Sequence, residues 1–196
     1  MKQQSGFTLI EIAIVLVIIG LLLGGVLKGQ EIITNAKIKN ITNDFNGVSA
    51  AIYSYQDRYR ATPGDDVSAD IHVGSPAADN GNGNGLVDNI FESTNDANES
   101  RAIWTHLRAA GLVAGPSDGS TASKTQPPNA FGGLTGIESN RRNIPGLLVG
   151  FSDIPGDIAI ILESQGDDGV PTTGSIQSSN GNTYTNNGVF NLLYGL

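Results

Sequence analysis

Residues 12–27 contain no charged side chain and no Ser, Thr, Asn or Gln. Extended back to Phe7, the apolar segment is 21 residues long and has one charge, Glu11. As a helix it would measure about 31 Å at 1.5 Å per residue, close to the ~30 Å hydrocarbon core of a bilayer. Ile, Val and Leu cover every face, whereas a helix buried on one side of a soluble domain keeps a polar stripe. The segment therefore reads as a membrane span. It also explains why the mean hydropathy of −0.08 is misleading. That value averages a very apolar N-terminus with a polar remainder rich in Gly, Asn, Asp, Ser and Thr.

The remainder excludes several classes of function. There is no Cys, hence no disulfide framework, no thiolate zinc site and no Cys nucleophile. Only two histidines, His72 and His106, are present, too few for a multi-His metal centre. Residues 1–60 hold six Lys/Arg against four acids; residues 61–196 hold five against fifteen. So acidic a body, with no basic cluster, argues against nucleic acid as a partner. Neither a Ser-His-Asp pattern nor a phosphate-cradling Gly loop with Lys is present.

The apolar segment is unlike an ordinary secretory signal, which has a short apolar stretch and a small-residue cleavage site. Here the run is long, and Lys28-Gly29-Gln30-Glu31 continues it in helical register. Glu11 is the anomaly. An acid within a span costs about 2.5–3.5 kcal/mol at the membrane centre and less near an end. Its carboxylate either snorkels to the interface or needs a cation at that depth. Cleavage between Gly6 and Phe7 would create one, an α-amino group with a reference pKa of about 7.7–8.0. Helices staggered by about one turn would then pair Glu11 with a neighbouring subunit's Phe7 amine.

Gly6-Phe7-Thr8-Leu9-Ile10-Glu11 followed by the apolar run resembles the class III signal of type IV pilins and type II secretion pseudopilins. The resemblance implies a cut after Gly6 by a membrane prepilin peptidase, N-methylation of Phe7, and Glu11 as the assembly glutamate. It also implies a single-pass inner-membrane precursor, then a periplasmic pseudopilus or a cell-surface pilus. The implied partners are other copies of the chain, other pilin-like subunits and an assembly platform. The chain departs from many such proteins in having no Pro before Pro63; Gly20, Gly24, Gly25 and Gly29 occupy the apolar helix and its edge instead.

Beyond the span, Ile38, Ile41, Phe45, Val48, Ile52, Tyr55 and Tyr59 recur at alternating spacings of 3 and 4, a narrow apolar stripe on a continuing helix. Pro63-Gly64 closes it. The organisation expected is a leader at 1–6, a membrane or filament-core helix at 7–27, its amphipathic continuation at 28–60 and a head at 61–196. Asp96-Ala97-Asn98-Glu99 reads as a capping box before a helix over Ile103, Trp104, Leu107 and Ala110, with Gly111 as its stop. Residues 114–143 read as irregular. Strands are expected at 147–151, 158–163, 174–177 and 189–193, with hairpin turns at Asp167-Asp168-Gly169 and Asn180-Gly181. The fold class expected is α+β, a long helix on a small antiparallel sheet, which is also what the resemblance implies.

Calcium is the one cofactor the sequence raises. Asn80, Asn82, Asn84, Gly85 and Asp88 fall at alternate positions of an EF-hand-like loop, although Asn stands at the first position and Phe91 at the twelfth. The resemblance adds Asp167 and Asp168, because some major pseudopilins hold a calcium in a C-terminal loop. The function expected is a non-enzymatic structural subunit of a pilus-like filament or a secretion pseudopilus. The alternatives are a non-polymerising membrane-anchored module that binds calcium or carbohydrate, and a membrane-tethered hydrolase using the acidic loops.

Overall fold

The computed structural model describes residues 8–181 and 183–196. Its first element, α1, is a single helix of 51 residues, Leu9–Tyr59. No proline interrupts it, and it stops where the sequence predicts. Arg60 turns into the left-handed region at φ 55° and bonds its N–H back to the Gln56 carbonyl at 2.9 Å, three residues ahead of Pro63. The chain divides into two units, Met1–Lys39 and Asn40–Leu196, and α1 crosses the division.

In the first unit the large apolar side chains of α1 lie open, from Leu9 at 91% exposed to Leu27 at 66%. Lys28 and Glu31 pair at the exposed surface, 2.8 Å apart.

The second unit is the head. After α1 come α2 (Ala69–His72), a 3₁₀ turn (Ala77–Asp79), α3 (Glu99–Ala109) and α4 (Thr121–Lys124). Then follow β1 (Thr135–Arg141), β2 (Ile144–Pro155), α5 (Gly156–Gly166), β3 (Ile176–Ser178) and β4 (Val189–Gly195). The four strands form one antiparallel sheet in the order β1-β2-β4-β3. The head is thus α+β, as expected.

Strand alternation gives the sheet two different faces. On one, Ile137, Val149, Phe151, Leu192 and Tyr194 are buried. Tyr194 there meets Phe45 of α1 with ring centroids 5.3 Å apart and takes Phe151 edge-on at 5.3 Å. Ile41, Val48, Ile52 and Tyr55 of the predicted stripe are buried too. On the opposite face Gly136 and Gly150 are direct cross-strand partners. The Phe91 ring lies on them so closely that a Cβ at Gly150 would sit 2.2 Å from a ring carbon. Phe91, Ile144, Leu148 and Leu193 make a compact buried cluster on this side. Fully burying a side chain of that size is worth about 1.5–3 kcal/mol.

Four local expectations are corrected. Residues 158–163 belong to helix α5, not to a strand. A short apolar run does not distinguish the two by periodicity. Here Pro155 sets an extended entry with φ −56° and ψ 143°, and Ile158, Ala159, Leu162 and Glu163 are buried at helical spacing. Asp167-Asp168-Gly169 therefore links a helix to β3 and is not a hairpin turn. Strand β1 lies within a stretch read as irregular; its central Glu-Ser-Asn sequence is weakly strand-like, and pairing with β2 supplies the order. The capping box before α3 does not form. Asn98 is the cap residue and makes no side-chain cap bond, Asp96 turns to Arg101 and Thr121, and Glu99 turns to the Asn-Gly loop. The stop at Gly111 is as expected: φ is 70°, Leu112 N–H bonds to Leu107 O at 2.9 Å and Gly111 N–H to Arg108 O at 3.0 Å.

Candidate functional site

The first site is the start of α1. Gly6 and Phe7 lie outside the described residues. Thr8 and Glu11 occupy the Ncap and N3 positions, a reciprocal capping box. The Thr8 backbone N–H donates to Glu11 Oε2 at 2.7 Å, and the Thr8 hydroxyl donates to the same oxygen at 2.8 Å. Glu11 N–H returns a longer bond of 3.4 Å to Thr8 Oγ1. Both short bonds land on Oε2, and no hydrogen bond reaches Oε1 from the described residues. The sequence reading missed Thr8, although Thr-x-x-Glu at a helix start is itself the signal. The helix that follows is the one helix among the described residues long and apolar enough to cross a membrane, with a peak mean hydropathy of 2.8. A Cβ added at Gly20, Gly24, Gly25 or Gly29 would meet nothing within 4 Å.

Residues 1–27 match the model of the prokaryotic N-terminal methylation motif. This is the prepilin-type signal of type IV pilins and pseudopilins. No curated protein and no solved structure matches the chain. Gly6, Phe7, Thr8 and Glu11 all lie inside the methylation motif, and the head lies outside it.

The second site is the Asn-Gly loop between the 3₁₀ turn and α3. Its backbone donors converge on carboxylates supplied from elsewhere in the head. Asp65 accepts from the N–H groups of Gly83, Asn84 and Gly85 at 2.6, 3.0 and 2.7 Å. Glu99 accepts from Asn82 N–H and Asp88 N–H, both at 2.9 Å. Burial raises the Glu99 carboxyl above its ordinary value, and Asp65 and Asp88 add to the rise against those two bonds. Of the predicted ligands, Asn82 and Asn84 come together, each donating its side-chain amide to Asp88 Oδ2 at 3.0 and 2.9 Å. Asn80 is turned to Asp70, with bonds of 2.8 and 3.0 Å. Asp65 anchors three backbone bonds from 18–20 residues upstream, a role no local pattern in the sequence reveals.

The third site is the end of α5. Asp167 and Asp168 meet Glu163, which the sequence reading did not single out. One carboxylate oxygen from each of the three lies within 4.8 Å of the others. Glu163 is fully buried. Its Oε2 accepts from the Tyr184 hydroxyl at 2.9 Å, and its buried Oε1 has no hydrogen-bond partner. Burial, then the charges of Asp167 and Asp168, push the Glu163 carboxyl up to about 7 against the Tyr184 bond. Recognising α5 as a helix is the signal that would have found it, because the i, i+4 spacing then places Glu163 beside Asp167.

Proposed function

We propose that the chain is the precursor of a structural subunit of a type IV pilus-like filament or a type II secretion pseudopilus. The match of residues 1–27 to the methylation motif carries this reading. On it, prepilin peptidase cuts after Gly6 and Phe7 becomes the methylated N-terminus. The precursor is held in the inner membrane by α1, single-pass. On assembly the apolar surface of α1 exchanges lipid for the helices of neighbouring subunits.

The capping geometry gives Glu11 a defined role in that exchange. Thr8 holds Oε2 with two donors, which leaves Oε1 to accept from an ammonium group. The amine of Phe7 on an adjacent subunit is the matching cation. In a medium without water such a charge-assisted bond is stronger and more selective than at a surface. A subunit out of register would leave the carboxylate unpaired, a state that low dielectric penalises. The absence of cysteine tilts the reading toward the pseudopilus side, since many pilins close their C-terminal region with a disulfide.

Two variants test the proposal in cells. Gly6→Val is expected to leave the full-length precursor, read by N-terminal sequencing of the membrane fraction. Glu11→Val is expected to be processed and membrane-bound yet absent from sheared filaments. Normal filaments from the Glu11→Val strain would overturn the assembly role. A wild-type chain that is never recovered in any sheared fibre, and whose loss leaves folded-protein secretion intact, would instead favour the non-polymerising anchored module. Deleting the gene separates the two filament readings: loss of surface fibres marks a pilus subunit, and loss of folded-protein secretion marks a pseudopilus subunit.

A further inference from the structure

The most enclosed ion pair among the described residues joins Lys124, at the end of α4, to Asp79, at the end of the 3₁₀ turn. Their side chains are 11% and 2% exposed, and Nζ lies 2.5 Å from Oδ1. That is closer than the roughly 2.7–2.9 Å of a charge-assisted N–H···O bond. The pair is nevertheless poorly matched as two ions. Asp79 Oδ2 is buried without a hydrogen-bond partner. The ammonium has three protons to place. Among the described residues it meets two acceptors, Asp79 Oδ1 and, at 3.2 Å, the Asp96 carbonyl. Attraction offsets the desolvation of a buried charge pair only when the remaining donors and acceptors are satisfied.

Both backbones are held in place. Asp79 N–H donates to Pro76 O at 2.9 Å. His106, whose Nδ1 accepts from Gly64 N–H, donates from Nε2 to Asp79 O at 2.9 Å. Around Lys124 the Arg108 guanidinium gathers the carbonyls of Ala122, Ser123 and Thr125 at 3.3, 2.6 and 2.9 Å. Gly119, at φ 75°, closes over Asp79 Oδ2: a Cβ there would lie 3.2 Å from that oxygen and 2.3 Å from Pro76 Cγ. Amine and carboxyl are thus fixed in contact and shielded from water, the conditions under which an intramolecular reaction gains most.

We infer that Lys124 and Asp79 condense into an intramolecular isopeptide bond. One proton passes from Nζ to Oδ1, giving a neutral amine and a carboxylic acid. The Nζ lone pair attacks Cγ, and the C–N bond forms. A second proton passes from the nitrogen to Oδ1. The Cγ–Oδ1 bond then breaks, and its electron pair departs with the oxygen as water. Oδ2 becomes the amide carbonyl and the nitrogen keeps one proton, so no oxidant, reductant or further reactant is needed. The amide suits the site better than the ions do. Two buried charges are removed, and the one N–H that remains has the Asp96 carbonyl to donate to. The bond ties the 3₁₀ turn to α4, a cross-link that a chain without cysteine cannot make by disulfide. The inference does not depend on filament formation and survives the failure of that reading.

The test is mass spectrometry of the full chain purified in detergent micelles, with the intact mass compared with that calculated for the N-terminus present. A deficit of one water, about 18 Da, is expected. Trypsin should fail to cut after Lys124, and tandem spectra of the digest should show residues 61–101 joined to residues 109–141 in one branched peptide. Lys124→Arg and Asp79→Ala should each restore the calculated mass and abolish the branched peptide. A wild-type chain at full mass and cut after Lys124 overturns the inference. So does a deficit without the branched peptide, as dehydration at Asp118-Gly119 or Asp168-Gly169 would give.

Discussion

Glu11 and the acids of the head sit in opposite surroundings. Around Glu11 the described residues provide one side-chain hydrogen-bond partner, Thr8, and every large side chain from Leu9 to Leu27 is open. In the head, charges are enclosed by the chain itself. Lys124 meets Asp79 at 2.5 Å, and Arg141 meets both Glu92 and Glu138, at 3.0 and 3.3 Å. Asp66 takes Tyr55 and His72 on one oxygen at 2.8 and 2.7 Å. On the proposed assembly, the groups of the first region take their further partners from outside the chain. The second is built of groups whose partners come from distant points within it. A substitution in the first should therefore change assembly and spare folding, and one in the second should do the reverse.

The largest expected effect tests the first half of that contrast. Glu11→Val should bring sheared filaments down to background, while the folding free energy of the purified chain in micelles stays within about 0.5 kcal/mol of wild type, as for a surface substitution. Quantitative blotting of the sheared fraction and thermal melts of the same preparation check both sides. A large fall in Tm would mean that Glu11 has a folding partner, and the contrast would collapse.

Phe91→Ala tests the other half. Removing a fully buried ring from the Gly136–Gly150 pair should cost about 3–5 kcal/mol, read from denaturant melts. Gly150→Ala should also destabilise, by about 1–3 kcal/mol, because its Cβ would overlap the ring. On the proposed processing, both variants should still be cut after Gly6, because the matched motif, residues 1–27, lies outside the head. Failure of cleavage in a folded Phe91→Ala chain would show that the head takes part in processing.

The same contrast decides what can be read from the sequence. The motif around Glu11 is legible because its chemistry is local: an acid one helical turn into an apolar span, with Gly6 just ahead. The long helix, the stop at Gly111 and the strands around 147–151 and 189–193 are legible for the same reason. The placement of Phe91 on two glycines 45 and 59 residues further on is not, since it exists only once β1 and β2 pair. Nor is the role of Asp65, whose three donors lie in another loop. Glu163 was hidden by one wrong assignment: as part of a strand it had no reason to meet Asp167, and as part of α5 it does.

Asp66 gives a smaller and pH-dependent effect. Burial works to raise its carboxyl, but His72, the Ser68 N–H and the Tyr55 hydroxyl together hold it below the ordinary aspartate value. A folded-state pKa below the unfolded one of about 3.9 means stabilisation that is present above about pH 4 and lost as pH falls through the folded value. Asp66→Asn should thus lower stability by about 1–3 kcal/mol at pH 6, the cost of losing hydrogen bonds to a charged group. The difference from wild type should close as the solution is taken below pH 3. A gap that stays constant across that range would show that the side chain acts by shape and not by charge.

The smallest effect on folding is expected at Gly20, and it sharpens the contrast most. A Cβ at this position meets nothing within 4 Å in the chain. Replacing Gly by Ala in a helix should stabilise it by about 1 kcal/mol, and Leu has nearly the same helix propensity as Ala. Gly20→Ala and Gly20→Leu should accordingly raise helix stability in micelles by similar amounts, measured by the thermal loss of ellipticity. They differ in size, and a small residue four positions from Gly24 permits close approach of a second helix. If that approach is why the position is small, filament yield should fall modestly for Ala and steeply for Leu. If Gly20 serves instead to soften the helix, the two variants, equally stiff, should reduce yield equally. A graded response places the partner of Gly20 outside the chain, as for Glu11; an equal one assigns the glycine to the helix itself.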